Sequence, residues 1–205
     1  MSKTKIIAFI AIVMSLSLFV TLGGNLLAQT TVYTNDFEGT VGAEWCSTSV
    51  STTPVGARKF LGPFGCGTRS LTFTGLPSHT EVTVSCDLFI IGSWVGNSSA
   101  WGPDSWDLSV DGGPTLLHTT FSNSGADQAY PGTFPGDSHL AQTGAAENNT
   151  LGYPPDPYGG EPDSVYNLSF TFAHSASSLI LKFTGGPALE IAQSWGIDNV
   201  VVQVR

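Results

Sequence analysis

The sequence predicts an all-β fold, in which two antiparallel sheets pack face to face as a sandwich with jelly-roll (lectin-like) architecture. Three observations support this prediction. Short runs of alternating apolar and polar residues recur along the chain, clusters of turn-forming residues separate them, and no sustained helical period follows the N-terminal segment. Only 11% of the 205 residues are charged, whereas 24 are glycine, which is typical of a secreted β-protein.

Residues 1–28 have the features of a secretory signal peptide. Two lysines precede an apolar run from Ile6 to Leu22, and Ala28 offers a cleavage site. Leu26 is larger than the usual residue at its position before the cut, so an uncleaved membrane anchor is the alternative. We expect a secreted or cell-surface protein whose mature part, 29–205, forms one β-sandwich domain without a transmembrane segment.

The charge of the mature chain restricts its partners. Two of the seven basic residues leave with the signal peptide, so five oppose sixteen acids and the mature net charge is −11. Such a surface repels nucleic acid and anionic lipid, and it suits neutral glycans or divalent cations. We therefore expect a glycan or polysaccharide partner and no nucleic acid, with self-association as an alternative.

Nine runs predict the strands in chain order. They cover 30–37, 57–62, 69–75, 80–91, 105–110, 115–122, 164–174, 177–185 and 194–204. The turn DGGP predicts a tight hairpin between the fifth and sixth runs. The seventh and eighth runs are expected to form another hairpin, because their apolar residues point the same way. Between about 122 and 163 the alternation stops, and a connection this long is usually either functional or disordered.

The last run places an acid in an unusual position. Val200, Val202 and Val204 form its apolar face, and counting back by two places Asp198 on that face, at the mouth of the core. A carboxylate there is costly unless a positive group meets it. The positive group would be a bound cation or a basic side chain such as Arg58. Alternatively, no positive group is present and Asp198 only caps the backbone at the strand entrance.

The two ends of the chain resemble the framing of MAM domains and of jelly-roll carbohydrate-binding modules. The resemblance rests on NDFEG and EWC near the start and on SWGIDNV at the end. The middle segment, which begins with SW in GSWVGN and ends with SWDLSVDGGPT, is also similar to uncharacterised secreted bacterial proteins of this architecture. The chain lacks the fuller cysteine set of MAM domains, so their receptor-type adhesion does not carry over.

The resemblance implies that the two ends are neighbours and that their carboxylates hold a structural calcium ion. Asp198 matches the closing acid and Glu38 the opening acid, with Asp36 beside it. Calcium takes six to eight oxygen ligands, which these side chains and backbone carbonyls would supply. The alternative is that Asp198 meets Arg58 or Lys59. No histidine or cysteine cluster has zinc-ligand spacing.

Aromatic residues are the second candidate site. Trp94 and Trp101 lie in GSWVGNSSAWGPD, a polar loop in which an exposed indole would stack on a sugar while Asn97 and Asp104 bind its hydroxyls. The alternative is that this loop folds back onto the sheet. The further ligand-binding candidates are aromatic residues of the long connection: Tyr130, Tyr153 and Tyr158. Trp106 shares the parity of apolar neighbours and is expected in the core, and Trp45 and Trp195 are expected to seal the sandwich edge.

The three cysteines are consistent with export. Cys46 and Cys66 lie among turn residues and are the expected disulfide, whereas Cys86 shares the parity of buried strand residues and is expected to be an inert thiol. Three reduced thiols are the alternative.

These observations favour a secreted, non-catalytic carbohydrate-binding protein, braced by calcium. A structural or adhesive exoprotein is the first alternative. A glycoside hydrolase or lyase is the second, in which Asp127, Glu147 and Glu161 could supply paired carboxylates. No serine or cysteine nucleophile has a recognisable setting.

Overall fold

The computed structural model describes residues 29–155, 161–186 and 193–205. Strands, and no helix, make up the regular structure of these ranges. The strands are β1 (Thr30–Asn35), β2 (Val50–Thr52), β3 (Lys59–Phe64), β4 (Gly67–Thr74), β5 (Glu81–Gly92), β6 (Ser105–Val110), β7 (Thr115–Thr120), β8 (Glu147–Asn148), β9 (Asp163–Ala173), β10 (Ser178–Gly186) and β11 (Gln193–Val204). The predicted signal peptide lies outside the described residues. Within them, no helix is long and apolar enough to cross a membrane.

The strands form two antiparallel sheets. The seven-stranded sheet has the order β2-β3-β11-β5-β9-β8, with β1 also paired to β11, and the four-stranded sheet has the order β4-β10-β6-β7. Most consecutive strands lie in opposite sheets, so the chain crosses repeatedly from one sheet to the other. The predicted all-β sandwich of jelly-roll type is confirmed.

All nine predicted runs are strands, and the β6–β7 hairpin is confirmed. The second predicted hairpin is wrong. β9 pairs with β5 and β8, whereas β10 pairs with β4 and β6, so the two strands lie in opposite sheets. Their apolar residues do face the same core. The alternation reports which face is buried, but not which strand is the partner.

The core fills the space between the two sheets with large aromatic side chains. Trp106 and Trp195 are fully buried, and their ring centroids lie 6.0 Å apart. A Cβ atom at Gly185 would lie 2.0 Å from Nε1 of Trp195, so this glycine makes room for the indole. The full burial of Trp106 confirms the prediction that it belongs to the core. Trp45 bridges to Leu71 at the edge of β4 and is buried there.

A β-bulge in β11 changes the position of Asp198. Asp198 pairs with Asp87 and Val201 pairs with Ser85, so two residues of β11 oppose one residue of β5 between these pairs. Asn199 has a φ of 51° at this point, in the left-handed region. The extra residue inverts the alternation, and both Ile197 and Val200 face the core. The prediction that Asp198 shares the valine face is wrong: it lies on the outer face of the sheet.

Candidate functional site

The connection from β5 to β6 (residues 93–104, here the β5–β6 loop) is held at its base by buried hydrogen bonds. The carboxylate of Asp104 accepts a hydrogen bond of 2.6 Å from the Val95 amide and one of 2.9 Å from the side-chain amide of Gln193. The Gly96 amide donates to the Phe121 carbonyl at 2.9 Å. A Cβ atom at Gly96 would lie 2.2 Å from the Asp127 carbonyl oxygen, so only glycine permits this close approach.

Trp94 is not part of an exposed platform. Its side chain is fully buried in the main core, and its indole N–H donates to the Ser194 carbonyl at 3.0 Å. The first half of the loop thus folds back onto the sheet, as the alternative interpretation holds. Burial of a large apolar ring together with a satisfied N–H favours this position over solvent.

The two polar residues assigned to sugar hydroxyls serve the loop itself. Asp104 is fully buried and holds the loop base, so the expectation that it contacts a ligand is wrong. Asn97 is partly buried; its amide N–H₂ donates to the Asp137 carbonyl at 3.0 Å, and its side-chain oxygen accepts from the Thr120 hydroxyl. Both side chains already use the groups that would bind a sugar.

Trp101 behaves differently from Trp94. Its side chain is 66% exposed, at the outer part of the same loop. The other four tryptophans of the chain are buried, with at most 4% exposure. Trp101 is thus an exposed, flat apolar surface next to a base that buried hydrogen bonds hold in place.

The tyrosines of the long connection are less exposed than the sequence suggests. Tyr130 packs between Phe121 and Tyr166, with ring centroids 5.0 Å from each, and burial raises the pKa of its hydroxyl. Tyr153 packs against a small apolar cluster on the outer side of the seven-stranded sheet. Burial, and then the charge of Asp163, raise the pKa of Tyr153. Tyr158 lies outside the described residues.

Sequence reasoning missed Gln128, which organises the long connection. It is fully buried, and its side-chain oxygen accepts hydrogen bonds from the Ser122 amide at 3.1 Å and the Gln142 amide at 3.0 Å. Its side-chain N–H₂ donates to the carbonyls of Tyr130 and Thr143. The only signal was a lone glutamine between Asp127 and Ala129, which alternation alone does not distinguish from a solvated one.

A basic side chain meets Asp198 on the outer face of the seven-stranded sheet. Arg58 lies 3.8 Å from Asp198, 3.6 Å from Asp87 and 3.0 Å from Glu147, measured between nitrogen and oxygen atoms. Its guanidinium also lies 4.6 Å from the ring centroid of Phe89. The structure therefore shows the alternative that the sequence left open, in which Arg58 supplies the positive charge.

The other two predicted calcium ligands have local partners. Glu38 accepts a hydrogen bond of 2.9 Å from the Lys59 amide and lies 3.7 Å from its ammonium group. Asp36 accepts one of 3.2 Å from the Glu38 amide. Among the described residues, no group of three or more His, Cys, Asp or Glu side chains is placed to hold a metal ion. These carboxylates do not form a shared calcium cage, and calcium stays a prediction from the resemblance.

The cysteines are free thiols, with Cys46 and Cys66 exposed and Cys86 buried. The expected Cys46–Cys66 bridge does not form, because Cys46 pairs with Ser70 through a backbone hydrogen bond of 3.0 Å. Cys66 lies four residues before Ser70, just before the start of β4. Four residues of extended chain span roughly 13 Å. A disulfide requires Cα atoms within about 7 Å. Cys86 is the buried thiol that the sequence predicts, and burial raises its pKa to about 12.

This arrangement predicts the labelling pattern of the three thiols. Without reductant, iodoacetamide should alkylate Cys46 and Cys66 in the folded protein and Cys86 only after unfolding, as read by mass spectrometry of peptides. Desolvation works to raise the pKa of Cys46, but hydrogen bonds with Ser70 and the charge of Arg69 outweigh it and leave that pKa lowered. Cys46 should therefore react at lower pH than an ordinary thiol. A peptide joining Cys46 to Cys66 would contradict this assignment.

The three acids considered for catalysis each have their own partner. Asp127 accepts a hydrogen bond of 2.7 Å from the Ser138 hydroxyl, Glu147 pairs with Arg58, and Glu161 accepts a hydrogen bond from Asn149. Their positions follow from loop packing, and nothing in these contacts selects two of them as a pair.

Neither a family model nor a curated protein matches this chain. Solved structures with similarity to it include the CBM22-1 xylan-binding domain from Paenibacillus barcinonensis Xyn10C, at 14% identity and a TM-score of 0.42, covering 86% of this chain and 96% of that one. The carbohydrate-binding module CBM6cm-2 from Cellvibrio mixtus lichenase 5A, in complex with cellotriose, has 15% identity and a TM-score of 0.40, covering 86% and 99%. Dimeric latent PorU from Porphyromonas gingivalis has 12% identity and a TM-score of 0.44, but this chain covers only 12% of its length. At these identities and TM-scores, the similarities carry no argument about what this chain binds.

Proposed function

We propose that the protein is a secreted, non-catalytic glycan-binding protein that stacks a sugar ring on Trp101. The observation that carries this proposal is the exposure of a single indole, 66%, in a chain whose other four tryptophans are buried. Tryptophan is normally well buried, so exposing one costs stability that a binding role would explain. Its flat apolar face suits the C–H face of a pyranose, and polar loop atoms nearby suit the hydroxyls.

The support beneath Trp101 favours binding. Because Asp104, Gln193 and Gly96 hold the base of the β5–β6 loop, little conformational entropy remains to be lost when a ligand binds. The acidic surface, at a net charge of −11 for the mature chain, is compatible with a neutral glycan.

Assembly through the edges of the four-stranded sheet is less well supported. Both outer edges of the four-stranded sheet are paired with loop segments: residues 44–46 lie along β4, and residues 130–134 lie along β7. Covered edges do not recruit another strand. A structural exoprotein that assembles through sheet edges would therefore have to use the seven-stranded sheet, and this function becomes the preferred one if no glycan binds.

Xylo-oligosaccharides and cellotriose, together with a glycan array, are suitable first probes for this proposal. Trp101→Ala should weaken binding of whichever probe binds by at least about tenfold, which corresponds to about 1.4 kcal/mol. Trp101→Phe should retain part of the affinity, because it keeps an aromatic face. Isothermal titration calorimetry provides the measurement.

Val55→Ala is the matched control, because Val55 is 58% exposed and belongs to a different loop. It should bind like the wild type. Equal affinity of Trp101→Ala and wild type would show that the platform lies elsewhere, and a blank array would overturn the proposed function.

A further inference from the structure

The sandwich has a cavity at the end opposite to Trp101. Its volume is about 490 Å³, within the range of small-molecule sites. The lining comes from the end of β4, from the β6–β7 turn, and from the connection between β9 and β10. β6 begins at the β5–β6 loop and ends at the cavity, and a strand of its six residues spans roughly 17–20 Å. The cavity and Trp101 are thus separate surfaces.

The floor of the cavity is apolar and its rim is polar. Phe73, Phe172 and Leu179 contribute the floor, and each keeps between 2% and 9% exposure. The rim carries small hydroxyl groups together with one carboxylate and one imidazole. These rim residues are Thr72, Thr74, Ser178, Asp111 and His174. Such a lining suits a ligand with one apolar face and a polar edge.

The charges around the cavity are balanced. The Asp111 carboxylate forms an ion pair with Lys182 on β10. Burial, and then the charge of His79, lower the pKa of His174, which keeps its imidazole neutral at pH 7. A neutral rim favours an uncharged ligand over an anion or a cation, because no unpaired charge is available to offset the desolvation of a charged ligand.

One wall of the cavity is fixed by contacts between loops. The rings of His79 and His174 stack with centroids 5.1 Å apart, and their Nε2 and Nδ1 atoms lie 2.8 Å apart. The His174 amide donates to the Thr80 carbonyl at 3.1 Å, and the Leu76 amide donates to the Ser177 carbonyl at 2.8 Å. These contacts tie the β4–β5 connection to the β9–β10 connection, so the cavity exists before a ligand arrives.

We propose that this cavity is a second glycan site, which takes one uncharged terminal sugar residue, so that the protein is bivalent. This inference rests on the proposed glycan binding, but it concerns different residues. A ring with an apolar C–H face would lie on Phe73 and Phe172, with its hydroxyls towards the threonine and serine hydroxyls of the rim. Two sites at opposite ends would let one molecule join two glycan chains, which raises avidity for a polysaccharide.

The test uses three monosaccharide probes: the methyl β-glycosides of xylose, glucose and galactose. Two-dimensional amide NMR of the protein should show that at least one probe shifts the amides of Gly112, Gly113 and Ala176. Ala176→Trp should weaken this response at least tenfold, because Ala176 lines the cavity mouth and is exposed there. Ser175→Trp is the matched control, since Ser175 lies in the same turn but does not line the cavity, and it should respond like the wild type.

The outcomes separate the two proposals. Shifts at the cavity that persist in Trp101→Ala and disappear in Ala176→Trp support the second site, whatever happens at Trp101. If none of the three probes shifts the cavity amides up to its solubility limit, or if Ala176→Trp responds like the wild type, the second site is overturned. If the second site is overturned but Trp101→Ala still loses oligosaccharide binding, the proposed function at Trp101 stands without the second site.

Discussion

Truncation of Trp94 to alanine should lower the free energy of unfolding by about 3–5 kcal/mol, the usual cost of removing a buried tryptophan. The indole is fully buried in the main core, and its N–H is bonded to the Ser194 carbonyl. Because a domain of this kind is stable by only about 5–15 kcal/mol, this single change would remove a large share of the total. Urea unfolding followed by fluorescence measures it.

Trp101→Ala is the matched control, because it removes the same side chain from the same loop. Trp101 is 66% exposed, so its truncation should change the unfolding free energy by less than about 0.5 kcal/mol. The pair thus separates a tryptophan that stabilises the fold from one that is available to a ligand. Similar losses of stability in both variants would contradict the assignment of Trp101 as an exposed platform.

Replacement of Asp198 by asparagine should make the protein more stable at neutral pH. The pKa of Asp198 is raised to about 6 from an ordinary value of 3.8, first of all by burial. The Asn199 amide and the Arg58 charge work to lower this pKa, and the charges of Asp87 and Glu38 work to raise it. The ionised form is therefore less favourable in the folded protein than in the unfolded chain.

The sign of the pH dependence follows from proton binding. Between about pH 4 and pH 6, the folded protein holds more protons at Asp198 than the unfolded chain does, so wild-type stability falls as pH rises. Above pH 6 this loss is complete, and Asp198→Asn should exceed the wild type by at most about 3 kcal/mol. Below about pH 4 the two proteins should be equally stable, because both side chains are then neutral. Arg58 keeps Glu147 and Asp87 as partners in the variant.

Urea unfolding of both proteins from about pH 3 to pH 8, in EDTA and in millimolar calcium, tests this expectation and the calcium prediction together. A cation bound only to the folded protein at 100 times its Kd would add about 2.7 kcal/mol. Calcium at these carboxylates would stabilise the wild type but not Asp198→Asn, and it would remove most of the difference between them at neutral pH. Asp36→Asn is the control, because Asp36 is exposed and its change should have little effect in EDTA.

The strands were predictable from the sequence because alternation is a local property. All nine predicted runs are strands, and Trp106 and Cys86 are buried as their parity indicates. The two additional strands, β2 and β8, have only three and two residues, so they are too short to show an alternating pattern. Burial was therefore predicted correctly for these residues, which lie in regular strands and alternate with apolar neighbours.

The candidate site was predicted less well, because loop burial depends on contacts distant in sequence. Trp94 and Trp101 lie in the same polar loop, and nothing in the local pattern separates them. Their different exposure follows from Gln193 and Asp104, which are 89 residues apart and hold the loop base onto the sheet. Trp101 remains a candidate for this reason, whereas Trp94 and Asp104 do not.

The sequence by itself determined the fold class, the course of the strands and the apolar face of each regular strand, because these depend on short-range periodicity. Tertiary structure alone decided which strands pair, that the thiols of Cys46 and Cys66 stay apart, and what meets Asp198. A single inserted residue at Asn199 inverts the alternation and moves Asp198 from the core to the outer face, within reach of Arg58. The physical reason is that the partner of a side chain is set by register and sheet order, which the chain settles only when the sandwich closes.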